Sequence, residues 1–65
     1  MTITEYKGRT IVALVAGETN RTARETTGKN IWTTAEDFDL NEGICEALKL
    51  AGADFSKVVK IGWEI

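Results

Sequence analysis

The chain has 65 residues, a formal net charge of −2, one cysteine and no histidine. A chain of this length holds one domain with one small hydrophobic core. A single cysteine excludes an internal disulfide, and the common structural zinc sites need histidines or several cysteines. We therefore expect one domain over residues 1–65 with no metal and no cofactor, stabilised by good packing or by self-association.

The first part of the chain has the pattern of a hairpin. Residues 2–6 predict a short strand, and residues 6–9 predict a turn that contains Gly8. Residues 9–16 are rich in β-branched side chains and apolar at successive positions. They therefore predict a central strand that is apolar on both faces.

The segment that follows is polar. Residues 17–20 predict a turn, so residues 21–27, with the sequence RTARETT, predict an exposed or edge strand that returns antiparallel. Residues 28–30 predict a second turn. Residues 31–33 then predict a short third strand or an extended approach to a helix.

The helix is expected to begin near Asp39. Asp39 with Glu42 fits a capping box, and Thr34 with Asp37 fits a looser one a turn earlier. Gly52 occupies the position of a C-cap glycine. The apolar stripe of this helix consists of Leu40, Ile44, Ala47, Leu48 and Ala51.

Residues 57–65 predict the last strand, after a loop over residues 53–56. Alternation places four side chains toward the core, namely Val59, Ile61, Trp63 and Ile65. The expected fold class is α+β: a small antiparallel β-sheet or half-barrel of three to four strands with one helix packed on it. One helix covers one face of the central strand, so the other face would meet a curled sheet or a second copy, which favours a homo-oligomer.

Residues 32–48 contain five acidic side chains and no basic one. Asp37, Asp39 and Asn41 match positions of a calcium loop, but Glu42 replaces the required glycine and Leu48 the required bidentate glutamate. Helix capping explains part of this acidity. The surplus predicts an acidic surface for a protein partner, with Trp32 as a contact residue or a core residue. The acidic residues of this surface are Glu36, Asp37, Asp39, Glu42 and Glu46.

Catalysis is not expected. Phe38 lies between Asp37 and Asp39 and could raise the pKa of one of them. There is, however, no histidine base, no phosphate-binding glycine loop and no nucleophile elbow. Cys45 is expected to be a buried or half-buried hydrophobic residue, and Trp63 a core residue.

Four basic residues lead to a second hypothesis, in which a small sheet binds nucleic acid or an anionic nucleotide. Small barrels bind nucleic acid with aromatic side chains between the cations, which RTARETT lacks. The other interpretation is an edge strand whose polar side chains discourage edge-to-edge pairing. The four residues are Arg9, Arg21, Arg24 and Lys29.

The order of these elements resembles short uncharacterised proteins encoded by bacteriophages and prophages. The resemblance covers roughly residues 7–50, and its matching residues are Thr22, Ala23, Arg24, Glu36, Asp37, Phe38, Asp39, Leu40, Gly43, Ala47 and Leu48. It implies a non-enzymatic accessory protein that binds and inhibits a bacterial host or defence protein, in an anti-defence or anti-CRISPR-like role. No catalytic or binding residue follows from the resemblance.

Residues 1–10 contain no apolar leader pattern, and no apolar run approaches 18 residues. The sequence therefore predicts a soluble cytosolic protein that does not act at a membrane, and the resemblance to phage proteins implies the cytoplasm of a bacterial host cell. A purely structural homo-oligomer is the third functional hypothesis.

Overall fold

The computed structural model describes residues 1–34 and 42–65, with the backbone alone at residues 33, 34 and 42. The elements in chain order are β1 (Thr2–Tyr6), β2 (Arg9–Val15), α1 (Asn20–Thr27), β3 (Ile31–Thr34), α2 (Glu42–Leu50) and β4 (Val58–Glu64). The strands form one sheet in the order β1-β2-β4-β3, and every neighbouring pair is antiparallel. The predicted α+β class with a small antiparallel sheet is confirmed, but the described residues form two helices, not one.

A tight hairpin joins β1 to β2. Tyr6 pairs with Arg9, so the loop has only two residues, Lys7 and Gly8. Their φ angles are 50° and 79°. Positive φ at both positions is the type I′ geometry, whose twist matches that of the flanking strands. Gly8 adopts this conformation without strain, whereas Lys7 pays a small steric cost.

β2 is buried on both faces, as its sequence predicts. On one face Ile11 and Ala13 pack in a cluster with Ile61 of β4 and Leu48 of α2. On the other face Val12 and Leu14 pack in a second cluster. Ala23 of α1 and Ile31 of β3 complete this second cluster. The sheet thus lies between two helices, with α2 on the first face and α1 on the second.

α1 replaces the strand expected over residues 21–27, and that prediction is wrong. Thr19 is the N-cap, and it forms a reciprocal capping box with Thr22. At the other end Gly28 is in the left-handed conformation with φ 70° and donates its N–H to the Arg24 carbonyl at 2.9 Å. Local hydrogen bonds therefore cap both ends of α1. Ala23 is the one residue of this helix that is fully buried, and it packs against the sheet.

This helix also removes the reason given for self-association through a sheet face. The sequence predicts that one face of β2 remains without a covering element. In the structure, α1 covers that face, because the chain crosses from β2 to the parallel strand β3 through α1 with β4 between them. The premise of an uncovered face is wrong, so a homo-oligomer needs a different structural reason.

α2 ends as predicted. Gly52 has φ 101° and donates its N–H to Lys49 O at 3.0 Å, while Ala53 donates to Leu48 O at 2.9 Å. This pair of bonds is the Schellman motif. At the start of the helix, a Cβ at Gly43 would lie 2.8 Å from Cζ of Tyr6, so glycine allows α2 to approach β1 closely. The proposed caps at Asp39 and Asp37, the Thr34 side chain and Leu40 lie outside the described residues.

A β-bulge makes the side-chain alternation of β4 differ from the predicted one. Leu14 pairs with Lys60, but Val15 pairs with Val58, so Val59 is an extra residue between them. The bulge places Val58 against the core and leaves Val59 47% exposed, contrary to the prediction for Val59. Ile61 and Trp63 face the α2 side as predicted. Ile65, expected to be in the core, is 72% exposed.

No helix in the described part of the chain is long and apolar enough to cross a membrane.

Candidate functional site

Two tryptophans lie opposite each other on the α2 side of the sheet. Trp32 of β3 pairs with Trp63 of β4, and Trp63 in turn pairs with Ile11 of β2. Residues directly opposite in a sheet share a face, so both rings lie on the face that contains the Leu48 cluster. Ile65 follows Trp63 by two residues and continues this face. We call Trp32, Trp63 and Ile65 the Trp32 face.

The two rings differ in exposure, and this difference separates a core role from a contact role. Trp63 is partly buried and packs against the core cluster. Trp32 is 49% exposed, although it is the largest side chain type. The sequence left Trp32 open between core and contact surface, and the structure places about half of its surface in solvent. A large amphipathic ring in this setting is a typical anchor of a protein interface.

The pairing of β3 with β4 fixes the backbone at Trp32, and with it the direction in which the side chain leaves the strand. Ile65 donates its N–H to Asn30 O at 3.2 Å, so residues 30 and 65 form a hydrogen-bonded pair. Hydrogen-bonded and non-hydrogen-bonded pairs alternate along an antiparallel ladder, so Trp32 and Trp63 also form a hydrogen-bonded pair. Trp32 thus projects from a residue whose N–H and C=O are both bound to β4, which limits its motion.

The carbonyl of Ile31 belongs to the next pair and therefore points away from β4, toward the outer edge of the sheet. Arg24 of α1 donates its Nε–H to this carbonyl at 3.2 Å. The arginine side chain thus occupies a position on the β3 edge where another strand would form hydrogen bonds. Arg24 is a structural contact of the β3 edge, which the sequence did not predict.

The predicted acidic surface is only partly described. Glu46 is exposed on α2. Glu36, Asp37 and Asp39 lie outside the described residues, and Glu42 is described only as the first backbone position of α2. The chain that contains the three undescribed acids joins β3, directly after the Trp32 face, to the start of α2. β3 is one edge strand of the sheet, whereas α2 packs mainly against β1 and β2.

The strand expected to carry Arg21 and Arg24 is a helix, and the four basic residues do not form one patch on the sheet. Arg21 and Arg24 lie on helix α1, and Arg21 is paired with Glu25 at 3.1 Å in an (i, i+4) contact. Lys29 follows the helix. Arg9 begins β2, and its pairing with Tyr6 places it on the α2 side, opposite α1. The sheet therefore separates Arg9 from the other three.

Lys29 is engaged in a polar cluster at the edge of the second core. Its Nζ donates to Thr10 Oγ1 at 2.9 Å and lies 3.6 Å from Glu64 Oε1. The same Glu64 oxygen accepts the backbone N–H of Thr10 at 3.1 Å. This N–H is the largest influence on Glu64 and, with the nearby Lys29 charge, lowers the pKa of its carboxyl below the ordinary value of 4.5, although partial desolvation raises it. These contacts give Lys29 a structural role.

No group of three or more histidine, cysteine, aspartate or glutamate side chains within residues 1–34 and 42–65 is arranged to hold a metal ion. Cys45 is half-buried and packs against the Leu48 cluster, as its position on the helix predicts.

Comparison with protein families, with curated proteins and with solved structures finds no significant match to this chain.

Sequence patterns do not predict the pairing of Trp32 with Trp63. The signal was present, because both residues lie in short apolar segments that predict strands, but a strand order in which β4 lies between β2 and β3 is not evident from the sequence. The contacts of Glu64 with Thr10 and Lys29 are likewise not predicted, because Glu64 lies at a strand position expected to face solvent. Neither residue belongs to a motif that sequence patterns identify.

Proposed function

We propose that this chain is a non-enzymatic binding protein that docks a protein partner through the Trp32 face. The observation on which the proposal depends is Trp32 itself, half-exposed and fixed in a hydrogen-bonded pair beside a partly buried second tryptophan. Binding energy at protein interfaces is concentrated in such aromatic residues, particularly where neighbouring contacts exclude water. The backbone of Trp32 is already ordered in β3, so binding requires no further backbone ordering at this residue.

The charge of the neighbouring chain supports a partner with a basic surface. The segment from Glu36 to Glu46 has five acidic side chains, and it follows directly after β3 in the chain. Exposed carboxylates accelerate encounter with a basic surface and select against acidic ones, more than they add affinity. The proposed binding residues are therefore Trp32, Glu36, Asp37, Asp39, Glu42 and Glu46.

The resemblance to short phage and prophage proteins gives the proposed class of partner. In this proposal the chain acts in the bacterial cytoplasm and inhibits a host or defence protein by occupying a basic surface of it. Nucleic acid is the less favoured ligand, because Arg21, Arg24 and Lys29 are each bound to other groups of the chain. Those contacts reduce the number of cations available to phosphates.

The test is capture from bacterial lysate, with and without nuclease treatment, by the tagged chain, followed by mass spectrometry of what remains bound. We expect a stoichiometric protein that the wild type retains and that Trp32→Ala loses, with an affinity reduced about 30-fold or more, as for truncation of an interface hot spot. Val59→Ala is the matched control, because Val59 has a similar exposed fraction, 47%, on a different part of the sheet. This control is expected to retain the partner.

Two outcomes would reject the proposal. One is equal binding by the wild type and Trp32→Ala. The other is a bound species that disappears after nuclease treatment and depends on Arg21 and Arg24, which would favour the nucleic-acid hypothesis.

Charge reversal tests the acidic residues separately. Asp37→Lys with Glu42→Lys is expected to reduce the association rate, with a smaller difference from wild type at high salt, because screening weakens interactions between exposed charges. Stopped-flow association at two salt concentrations measures this effect. An association rate identical to that of the wild type would remove these residues from the proposed surface.

A further inference from the structure

The outer edge of β1 differs from the outer edge of β3. Thr10 donates its N–H to a Glu64 oxygen on the β4 side of β2, so the backbone groups of Thr10 and Val12 point toward β4. Their partners in β1 are Glu5 and Ile3, which therefore form non-hydrogen-bonded pairs with β2. The N–H and C=O groups of Ile3 and Glu5 consequently point outward, away from the sheet.

These outward groups have no partner within residues 1–34 and 42–65. No backbone or side-chain hydrogen bond between described residues reaches Ile3 or Glu5 outside the β1–β2 ladder. On the β3 edge, by contrast, Arg24 binds the outward carbonyl of Ile31. The Ile3 side chain is also 43% exposed. An edge strand with β-branched residues and unpaired backbone groups is a template for the addition of another strand.

We propose that β1 pairs with β1 of a second copy of this chain, antiparallel about Thr4, to form a continuous eight-stranded sheet. This register places Ile3 opposite Glu5 of the second copy, and the two-fold axis repeats the pair. The outward groups of each Ile3 then meet the outward groups of the opposite Glu5, which gives two hydrogen-bonded pairs and four hydrogen bonds.

Charge selects this register over its neighbours. A register centred on Glu5 would place two carboxylates directly opposite each other, which is destabilising in a sheet. A register centred on Ile3 would leave Glu5 opposite residue 1, outside β1. Only the register centred on Thr4 uses all the outward groups of both strands and keeps the carboxylates apart. The Thr2, Thr4 and Tyr6 side chains lie on the α2 side, so both α2 helices flank the axis on one side.

This proposal is independent of the Trp32 face, which lies at the opposite edge of the sheet. The contact is short and includes one exposed apolar side chain from each copy, so it is expected to be a weak dimer. Its dissociation constant is expected between about 10 µM and 1 mM, because specific interfaces of standard size bury considerably more surface. Measurements therefore need to extend to about 1 mM.

The test is sedimentation equilibrium over this concentration range on the wild type and on two substitutions of Ile3. In the proposed register, Ile3→Lys places an ammonium group opposite Glu5 of the second copy, whereas Ile3→Glu places a carboxylate there. Both substitutions remove the same apolar side chain. We expect Ile3→Glu to dimerise on the order of tenfold more weakly than Ile3→Lys. The two-fold axis repeats each pair, so the repulsion between the introduced carboxylate and Glu5, or the attraction between the introduced ammonium group and Glu5, occurs twice. Circular dichroism verifies that both variants fold.

Trp32→Ala, which changes the other edge, is expected to dimerise like the wild type, so failure of the partner-binding proposal is distinguishable from failure of this one. A wild type that remains a monomer through about 1 mM would overturn the proposed dimer. Equal weakening by Ile3→Lys and Ile3→Glu would also overturn it, because a carboxylate opposite residue 3 is the defining feature of the register.

Discussion

The substitution Ala23→Val tests the packing of α1 on the sheet. Ala23 is the only buried residue of α1, and it lies among Val12, Leu14 and Ile31. Valine adds two methyl groups to a fully buried site, and overpacking of this kind costs about 1–3 kcal/mol. Valine also has a lower helix propensity than alanine, by roughly 0.5 kcal/mol. The expected loss of unfolding free energy is therefore about 1.5–3.5 kcal/mol.

This loss is large relative to the whole domain. A chain of 65 residues has a total stability of roughly 3–10 kcal/mol. The melting temperature should fall on the order of 10–20 °C. Urea denaturation followed by tryptophan fluorescence measures the difference directly. The matched control is Thr26→Val, an isosteric change at an exposed position of the same helix, which is expected to change stability by less than about 0.5 kcal/mol.

An exposed β-strand over residues 21–27 would give the opposite result. Valine favours a strand, so Ala23→Val would be neutral or stabilising there. If Ala23→Val and Thr26→Val have the same stability as the wild type, the packing of α1 against Val12 and Leu14 is refuted.

Three further substitutions test the core, the cap and the polar cluster. Leu48→Ala removes a fully buried side chain and should cost about 3–5 kcal/mol in urea denaturation, which a loss under 1 kcal/mol would contradict. Thr19→Ala removes the α1 N-cap and should cost about 1 kcal/mol, whereas Thr19→Ser should retain most of it. Because the Thr10 N–H lowers the pKa of Glu64 below 4.5, its contribution to stability is present above pH 4.5 and is lost as pH falls through the lower, folded value. Glu64→Gln should therefore flatten the acid limb of a stability-against-pH curve, and an unchanged limb would contradict this assignment.

The sequence predicts the elements that have a strong apolar pattern. β2 was identified because its apolar residues are consecutive, which requires burial on both faces. The C-terminus of α2 was identified because Gly52 follows an apolar stripe. In both cases local chemistry and tertiary packing favour the same conformation, so local patterns suffice.

α1 was missed because its helical signals are weak. The capping box uses Thr22 where glutamate or glutamine is usual, and only Ala23 faces the core, so there is no apolar stripe to detect. Three threonines and one asparagine in the segment also favour turns or strands over helix. What decides the conformation is the tertiary structure, since the second face of β2 must be covered and a small residue allows a helix to approach it.

The candidate site was predicted only in part. Trp32 was identified as a possible contact residue, but its position beside Trp63 depends on the strand order β1-β2-β4-β3, which is set by long-range pairing. The bulge at Val59 is a similar case, because one extra residue reverses the alternation on which the prediction for Val59 depended. Arg21 and Arg24 were expected on a strand with Arg9 and Lys29 nearby, but both lie on α1, across the sheet from Arg9.

The most direct measurement of the proposed function is fluorine NMR of the chain labelled with 5-fluorotryptophan, titrated with the unlabelled protein captured from lysate. The chain contains two tryptophans, so two resonances are expected, and Trp32→Phe assigns them. We expect the Trp32 resonance to shift at saturation and to lose its H2O/D2O solvent isotope shift, while the resonance of the partly buried Trp63 changes less. A Trp32 resonance that remains unchanged and solvent-sensitive with the partner fully bound would contradict the assignment of this face as the binding surface.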